Sequence, residues 1–169
     1  MDDLVQWMRA QLDEDERVAR AASEYAEADW RLDEDGETVL WWPPEPHIAE
    51  KEREKGLPVV SDHWRGQTIE SGGTRLAPHI ARHDPARVLR EIDATRQLLD
   101  LHGLVHRDLL WIDENSDERT AEIPVCGHCV PRHSSYPHPS AVPQGPCTTL
   151  RMLALPYADR PGYRDEWRP

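Results

Sequence analysis

Near the start of the chain, apolar side chains recur at steps of three to four residues, which is the spacing of one face of an α-helix. The stripe consists of Val5, Met8, Leu12, Val18, Ala22 and Tyr25. Asp2 or Asp3 precedes it and can cap the first turn by accepting hydrogen bonds from free backbone N–H groups. The pattern therefore predicts a long helix over residues 3 to 26, within an acidic N-terminal region of residues 1 to 28.

The next region, residues 29 to 75, has the short alternating segments of an antiparallel sheet. Trp30 and Leu32 alternate with polar residues, and Gly36 follows three acidic residues at a position that suits a positive φ. Residues 38 to 42 then form a second strand that runs back along the first, which predicts a β-hairpin. Residues 57 to 61 and 67 to 69 predict two further strands of a small sheet.

Residues 76 to 103 carry a second helical pattern with clear signals at both ends. Asp84 and Pro85 have the types preferred at the cap and in the first turn, and Gly103 follows the last apolar position. The predicted apolar face consists of Val88, Leu89, Ile92 and Leu99. We expect a helix ending near His102 and a shorter helix over residues 77 to 82 before it.

The last region, residues 104 to 169, combines an acidic connection with a C-terminal helix and tail. Residues 104 to 122 contain the apolar string LVHRDLLWI, which has the composition of a strand. After Cys147, Leu150, Leu153 and Ala154 recur at helical spacing, and Pro156 is placed to end that helix. Tyr157, Tyr163 and Trp167 have enough apolar area to hold the tail against the rest of the protein.

These elements together predict one α+β domain over residues 1 to 169, with two long helices and a small antiparallel sheet. No apolar run is long enough for a transmembrane helix, and the N-terminus lacks the basic start and apolar stretch of a secretion signal. With an odd number of cysteines, three, a disulfide framework is not expected. We therefore expect a cytoplasmic protein with no membrane contact.

The net charge of −12 is concentrated at one end of the chain. Residues 1 to 56 contain seventeen Asp and Glu against seven Lys and Arg, a balance of −10. Such a surface repels the phosphate backbone, so direct binding of nucleic acid is not expected. An acidic solvated helix face explains the charge more simply than mimicry of nucleic acid does, and an unidentified protein partner stays open.

The three cysteines provide the most specific chemistry in the sequence. Cys126 and Cys129 form a CxxC motif, and Cys147 follows after seventeen intervening residues. Two thiolates separated by two residues can bind one tetrahedral Zn²⁺ from a tight turn, so we predict a structural zinc site. A closed site needs a fourth ligand, for which the candidates are His102, His128, His133 and His138. His128 lies between the two cysteines and is geometrically the poorest of them.

Four parts of the sequence carry a resemblance to a known family: the acidic opening, the CxxC motif and the two strings HIARHDPARVLREIDATRQLLDLH and PCTTLRMLALPYADRPGYRDEWRP. They resemble domain-of-unknown-function family 6221. This family comprises small actinobacterial and actinophage proteins for which the resemblance implies no activity. Residues 30 to 75 and 104 to 124 match poorly. The resemblance implies that a histidine before the CxxC is a shared part, which favours His102 as the fourth ligand, with His133 second.

Other catalytic templates fit the sequence less well. The string CGHC resembles a redox dithiol, but no amphipathic helix begins there and the βαβ context is missing. His79 and His83 have metalloprotease spacing, but Ile80 stands where the general base is required. We therefore predict a non-enzymatic interaction or regulatory protein without catalytic residues. The alternative is a zinc- or thiol-dependent enzyme, in which the metal would have three protein ligands and one open position.

Overall fold

The computed structural model describes residues 2–26, 29–34, 36, 38–42, 56–61, 63–64, 67–68, 73–113, 115–130, 142 and 145–169. They form an α+β fold, as the sequence predicts. The helices are α1 (Asp2–Ala26), α2 (Gly73–Arg82), α3 (Pro85–Leu101) and α4 (Thr148–Ala154). The strands are β1 (Arg31–Leu32), β2 (Thr38–Trp41), β3 (Leu57–Ser61), β4 (His63–Trp64), β5 (Gln67–Thr68), β6 (Leu104–Ile112) and β7 (Glu118–Cys126).

The chain groups into two compact units, one made of Met1–Asp13 with Ala94–Pro169 and the other of Glu14–Asp93. The single domain expected from the sequence stays a prediction. No helix in the described part of the chain is long and apolar enough to span a membrane.

Helix α1 confirms the predicted N-terminal helix, but its buried face differs from the expected stripe. The buried side chains are Leu4, Met8, Leu12, Ala19 and Ala26, whereas Val18 is 53% exposed. Because one residue advances the helix by about 100°, Ala19 and not Val18 continues the line from Leu12. Val18 and Ala19 are both apolar, so the sequence alone could not show which of the two side chains is buried.

In the unit of Glu14–Asp93, the predicted hairpin is confirmed, and the strand predicted over residues 57 to 61 joins it as β3. β1 pairs with β2, and β2 with β3, all antiparallel, with Val39 fully buried. Asp33 closes the turn, since its carbonyl accepts a hydrogen bond from the N–H of Gly36, whose φ is +74°. β4 and β5 pair with each other as a separate sheet, so His63–Trp64 is a strand where the sequence predicts a connection.

The start of α3 confirms the cap predicted from the sequence. The N–H of Arg87 donates to Oδ1 of Asp84 at 2.6 Å, and the N–H of Val88 donates to its carbonyl at 3.0 Å. Such a cap satisfies backbone donors that have no partner within the helix. At the other end, the N–H of Gly103 donates to the carbonyl of Asp100.

In the other unit, β6 and β7 form an antiparallel hairpin of nine residues per strand. The strand expected from the string LVHRDLLWI is confirmed as β6, whereas β7 is a strand where the sequence gives none. The register pairs Leu104 with Cys126 at the open end. One face of the hairpin reaches the core, where Trp111 and Ile123 pack against Val125, Val130 and Val142.

Asp113 organises the tip of this hairpin. Its Oδ1 accepts hydrogen bonds from the N–H groups of Asn115 and Asp117, and its Oδ2 accepts one from Arg119 Nε at 2.8 Å. The turn also places Ser116 at a φ of +66°, a region that few residues other than glycine adopt.

We expect the pKa of Asp113 to lie below its ordinary value, first because of the Arg119 hydrogen bond and then because of the backbone hydrogen bonds. A lowered pKa in the folded state stabilises the hairpin above the unfolded pKa, and this stabilisation is lost as the pH falls through the folded value. A carboxyl ¹³C titration by NMR measures it. A midpoint for Asp113 at or above the ordinary aspartate value of about 3.9 would contradict the expectation.

The C-terminal segment is docked, as predicted. In α4, Leu150 and Ala154 are fully buried, whereas Leu153 is half-buried. The helix ends at Ala154 and continues as a 3₁₀ turn, Leu155–Tyr157.

The tail beyond this turn packs on the first half of α1. Trp167 is 5% exposed, and its ring centroid lies 5.4 Å from that of Trp7. Tyr163 meets the same indole edge-on at 5.7 Å, and Trp7 Nε1 donates to the carbonyl of Pro161 at 3.1 Å. These aromatic contacts supply the anchors that an ordered terminal segment requires.

Candidate metal centre

The end of α3 and the open end of the hairpin bring His102 next to the CxxC motif. His102 extends the last helical turn, with its N–H donating to the carbonyl of Leu98 at 3.0 Å, and it is 5% exposed. After Gly103 the chain enters β6 directly. Leu104 lies two positions after His102 and is paired with Cys126. The hairpin register therefore places the first cysteine next to the end of α3.

The CxxC residues form a tight turn closed by their own backbone. The N–H of Cys129 donates to Sγ of Cys126 at 3.4 Å, and the N–H of Val130 donates to the carbonyl of Cys126 at 3.1 Å. Between the cysteines, Gly127 donates to the carbonyl of Gly103 at 3.0 Å. A Cβ on Gly127 would lie 3.2 Å from Cγ1 of Val105, so glycine allows this close approach.

Two arginines hold the segments around the cysteines. Arg107 Nη2 donates to the carbonyl of Gly127 at 3.0 Å, and Arg151 Nε donates to the carbonyl of Pro146 at 3.0 Å. Cys147 occupies the N-cap position of α4, and its carbonyl accepts the N–H of Arg151 at 3.1 Å. The thiol itself makes no capping hydrogen bond, which leaves it available to face the other cysteines.

His102 Nδ1 is almost equidistant from three sulfur atoms. It lies 3.5 Å from Sγ of Cys126, 3.5 Å from Sγ of Cys129 and 3.4 Å from Sγ of Cys147. The four ligand atoms all lie within 4.8 Å of one another. One ring nitrogen carries at most one proton, so hydrogen bonding accounts for one of the three contacts at most.

A tetrahedral metal site accounts for all three distances together. Zinc takes thiolate sulfur at about 2.3 Å and imidazole nitrogen at about 2.0 to 2.1 Å, which places nitrogen and sulfur about 3.5 Å apart along a tetrahedral edge. The observed 3.4 to 3.5 Å fits this edge. Cys126, Cys129, Cys147 and His102 could therefore hold one metal ion.

The electrostatics of the cluster favour a bound cation. Partial desolvation of the Cys129 sulfur, together with hydrogen bonds and charge from Cys126 and Cys147, raises the pKa of this thiol to about 12 although the residue as a whole is exposed. Burial also acts to raise the pKa of Cys126, but hydrogen bonds from the N–H groups of Cys129 and His128 outweigh it and lower the pKa. Three thiols this close do not all ionise unless a positive charge compensates them, and a divalent metal supplies that charge.

His102 is suited to bind a metal in its neutral form. Burial first, and then the charge of His128, lowers the pKa of its imidazole. A metal ligand must be the unprotonated ring nitrogen, so the lowered pKa reduces competition from protons.

The remaining histidine candidates do not join this cluster within the described residues. The exposed ring of His128 packs edge-on against His102, with centroids 4.8 Å apart, but it is outside the group of ligand atoms. His133 and His138 lie outside the described residues. The family resemblance favours His102 among the four histidines, and the structure brings His102 to the sulfurs.

The two histidines with metalloprotease spacing lie side by side in the structure. The ring centroids of His79 and His83 are 4.6 Å apart. Both are exposed. Among the described residues no third metal-ligand side chain joins them.

A cavity of about 350 Å³ opens beside the three cysteines. Thr148, Thr149 and Arg151 of α4 line its other side. Cys129 is exposed, Cys147 is half-buried and Cys126 is buried. Small molecules in solution can therefore approach the cluster from this side.

The family model for the family of unknown function DUF6221 matches residues 1–169, so the chain belongs to that family. This confirms the resemblance seen in the sequence and extends it over residues 30 to 75 and 104 to 124. No curated protein matches the chain, and no solved structure matches it.

Proposed function

We propose that this DUF6221 protein binds one structural Zn²⁺ through Cys126, Cys129, Cys147 and His102. The observation that carries the proposal is the set of three nearly equal distances, 3.4 to 3.5 Å, from one ring nitrogen to three sulfur atoms. Soft thiolate donors with one imidazole in a tetrahedral arrangement favour zinc over the metals that prefer oxygen ligands.

The proposed zinc joins three separate segments of one unit. His102 follows α3, Cys126 and Cys129 lie at the end of β7, and Cys147 precedes α4. A metal bound by all three fixes the start of α4, and with it the docked tail. Because ligands from distant parts of the chain meet only in the folded state, metal binding contributes directly to folding.

We propose a non-enzymatic role, as an interaction or regulatory protein. A four-ligand site supports it, because catalytic zinc usually keeps one position open for water or substrate. The zinc-dependent enzyme of the alternative hypothesis would need His102 to leave the metal. Origin in an actinobacterium or its phage rests on the family resemblance, and a reducing cytoplasmic location rests on the three free thiols.

Metal analysis of the purified protein tests this proposal. We expect about one zinc per chain when the protein is prepared under reducing conditions without chelator. Protein that is folded and fully reduced but contains no zinc after incubation with Zn²⁺ would contradict the proposal. Retention of iron in preference to zinc would contradict the choice of metal.

We also predict that the protein does not bind duplex DNA directly. Its net charge of −12 repels phosphate and offers little counterion release. A gel-shift assay at physiological salt should show no retarded complex, with the same assay at low salt as the more permissive condition. Retention that weakens as salt is raised would show direct binding and contradict the prediction.

A further inference from the structure

We propose that Cys129 is an oxidation site of the metal centre, at which a peroxide begins a reaction that forms a Cys126–Cys129 disulfide and releases zinc. This inference rests on the proposed zinc site. The three sulfurs differ in their exposure, and a purely structural site does not require such a difference.

The three cysteines differ in their access to solvent. Cys126 is 3% exposed, Cys147 is half-buried and Cys129 is exposed. All three line the cavity of about 350 Å³, which is large enough to admit a peroxide molecule. Bound to zinc, all three sulfurs would be thiolates, so exposure distinguishes them, and Cys129 is the first sulfur that an oxidant meets.

Hydrogen bonding adds to this difference. The N–H of Cys129 donates to Sγ of Cys126 at 3.4 Å, and such a bond withdraws electron density from the accepting sulfur. Burial and this hydrogen bond therefore both reduce the reactivity of Cys126 toward peroxide. Zinc binding would keep Cys129 as a thiolate, which is the form that reacts with peroxide.

The reaction balances with peroxide as the two-electron oxidant. The Cys129 thiolate attacks one peroxide oxygen, the O–O bond breaks, and a sulfenic acid and hydroxide form. The Cys126 thiolate then attacks the Cys129 sulfur, an S–S bond forms, and a second hydroxide leaves. Two thiolates are oxidised, the peroxide takes up two electrons, and two protons from solvent convert both hydroxides to water.

The resolving cysteine is close enough for the second step. Cys126 lies in the same tight turn as Cys129, and their sulfur atoms are within 4.8 Å. The disulfide removes two of the four metal ligands, so zinc is released. The metal link between the CxxC turn and Cys147, at the start of α4, is then lost.

The test treats the zinc-loaded full chain with hydrogen peroxide while a chromophoric chelator records zinc release. Aliquots are alkylated and mapped by mass spectrometry. We expect two thiols lost per zinc released, a Cys126–Cys129 disulfide, and Cys147 still open to alkylation. A first disulfide that includes Cys147 would overturn the assignment, as would zinc release with all three thiols intact.

Two variants complete the test. Cys129→His keeps a zinc ligand but removes the sulfur. Peroxide should then release zinc at least about 10-fold more slowly, because imidazole does not enter the thiol oxidation series. Met152→Leu removes an exposed thioether on α4 that peroxide also oxidises, and release should be unchanged. Loss of release in Met152→Leu would attribute the effect to methionine and refute the proposal.

Failure of this inference is separable from failure of the zinc site. Zinc content is measured before peroxide is added, and protein without zinc refutes the proposed function itself. Protein that keeps its zinc after Met152 has been oxidised to the sulfoxide refutes only the oxidation site, because the oxidant has then reacted with an exposed sulfur of the same protein.

Discussion

Replacing His102 with alanine should lower the zinc affinity by more than about 100-fold, because changes to residues behind the ligands alone cost about 10- to 100-fold. The remaining three thiolates would bind zinc with an open position. A 100-fold loss of affinity corresponds to roughly 2.7 kcal/mol of zinc-linked stability. Competition with a chromophoric chelator measures the affinity, and thermal unfolding at fixed free zinc measures the stability.

His128→Ala is the matched control for His102→Ala. The His128 ring contacts that of His102 but is exposed and lies outside the cluster of ligand atoms. We expect a change in zinc affinity of less than about 10-fold, below the range for residues that hold a ligand in place. Equal losses in the two variants, or a larger loss in His128→Ala, would show that the fourth ligand has been misassigned.

Replacing Leu150 with alanine should destabilise the protein by about 2 to 5 kcal/mol, the range for a large apolar side chain removed from a packed core. Leu150 is fully buried on α4, one turn after Cys147. The cavity left behind weakens the contact that docks the C-terminal segment. Urea unfolding of the zinc-loaded protein, monitored by tryptophan fluorescence, gives the free energy of unfolding.

Met152→Ala, on the same helix, provides the comparison. Met152 is 59% exposed, so its replacement by another good helix former should change the free energy of unfolding by about 0.5 kcal/mol or less. If Leu150→Ala were as mild as Met152→Ala, α4 would contribute little to the folded unit. The docked arrangement of the tail would then be wrong.

The elements with strong local signals could be predicted from the sequence. At the start of α3, the Asp84 carboxylate accepts a hydrogen bond from the N–H of Arg87, and Gly103 follows the end of the helix. Both boundaries of α3 are therefore encoded by residues within a few positions of them. The turn at Gly36 is similar, because a positive φ is accessible to glycine without strain. Local backbone chemistry determines these features, and tertiary contacts do not need to be known.

The hairpin of β6 and β7 could not be predicted in the same way. Its outer face carries Leu110 and Ile112, which are 59% and 65% exposed, so apolar residues occur on both faces and the expected alternation is obscured. Its register is a long-range property. The resemblance favours His102 as the fourth ligand, but its place beside the cysteines depends on that register, since the pairing of Leu104 with Cys126 brings the end of α3 to the CxxC motif.

The cysteines, by contrast, could be identified from spacing alone. CxxC fixes two ligands within one turn, and Cys147 at the start of a helix provides a third from a stable element. Their differing exposure could not be derived, because it depends on how α4 and the hairpin pack around the cavity. The oxidation site inferred for Cys129 therefore required the structure.

X-ray absorption at the zinc edge tests the central claim most directly, because it reads the ligands of the bound metal in the intact protein. We predict three sulfur neighbours at about 2.3 Å and one nitrogen neighbour at about 2.0 to 2.1 Å, with the imidazole signal absent in His102→Ala. A shell of two sulfurs with oxygen neighbours, or an imidazole signal that persists without His102, would contradict the four-ligand site.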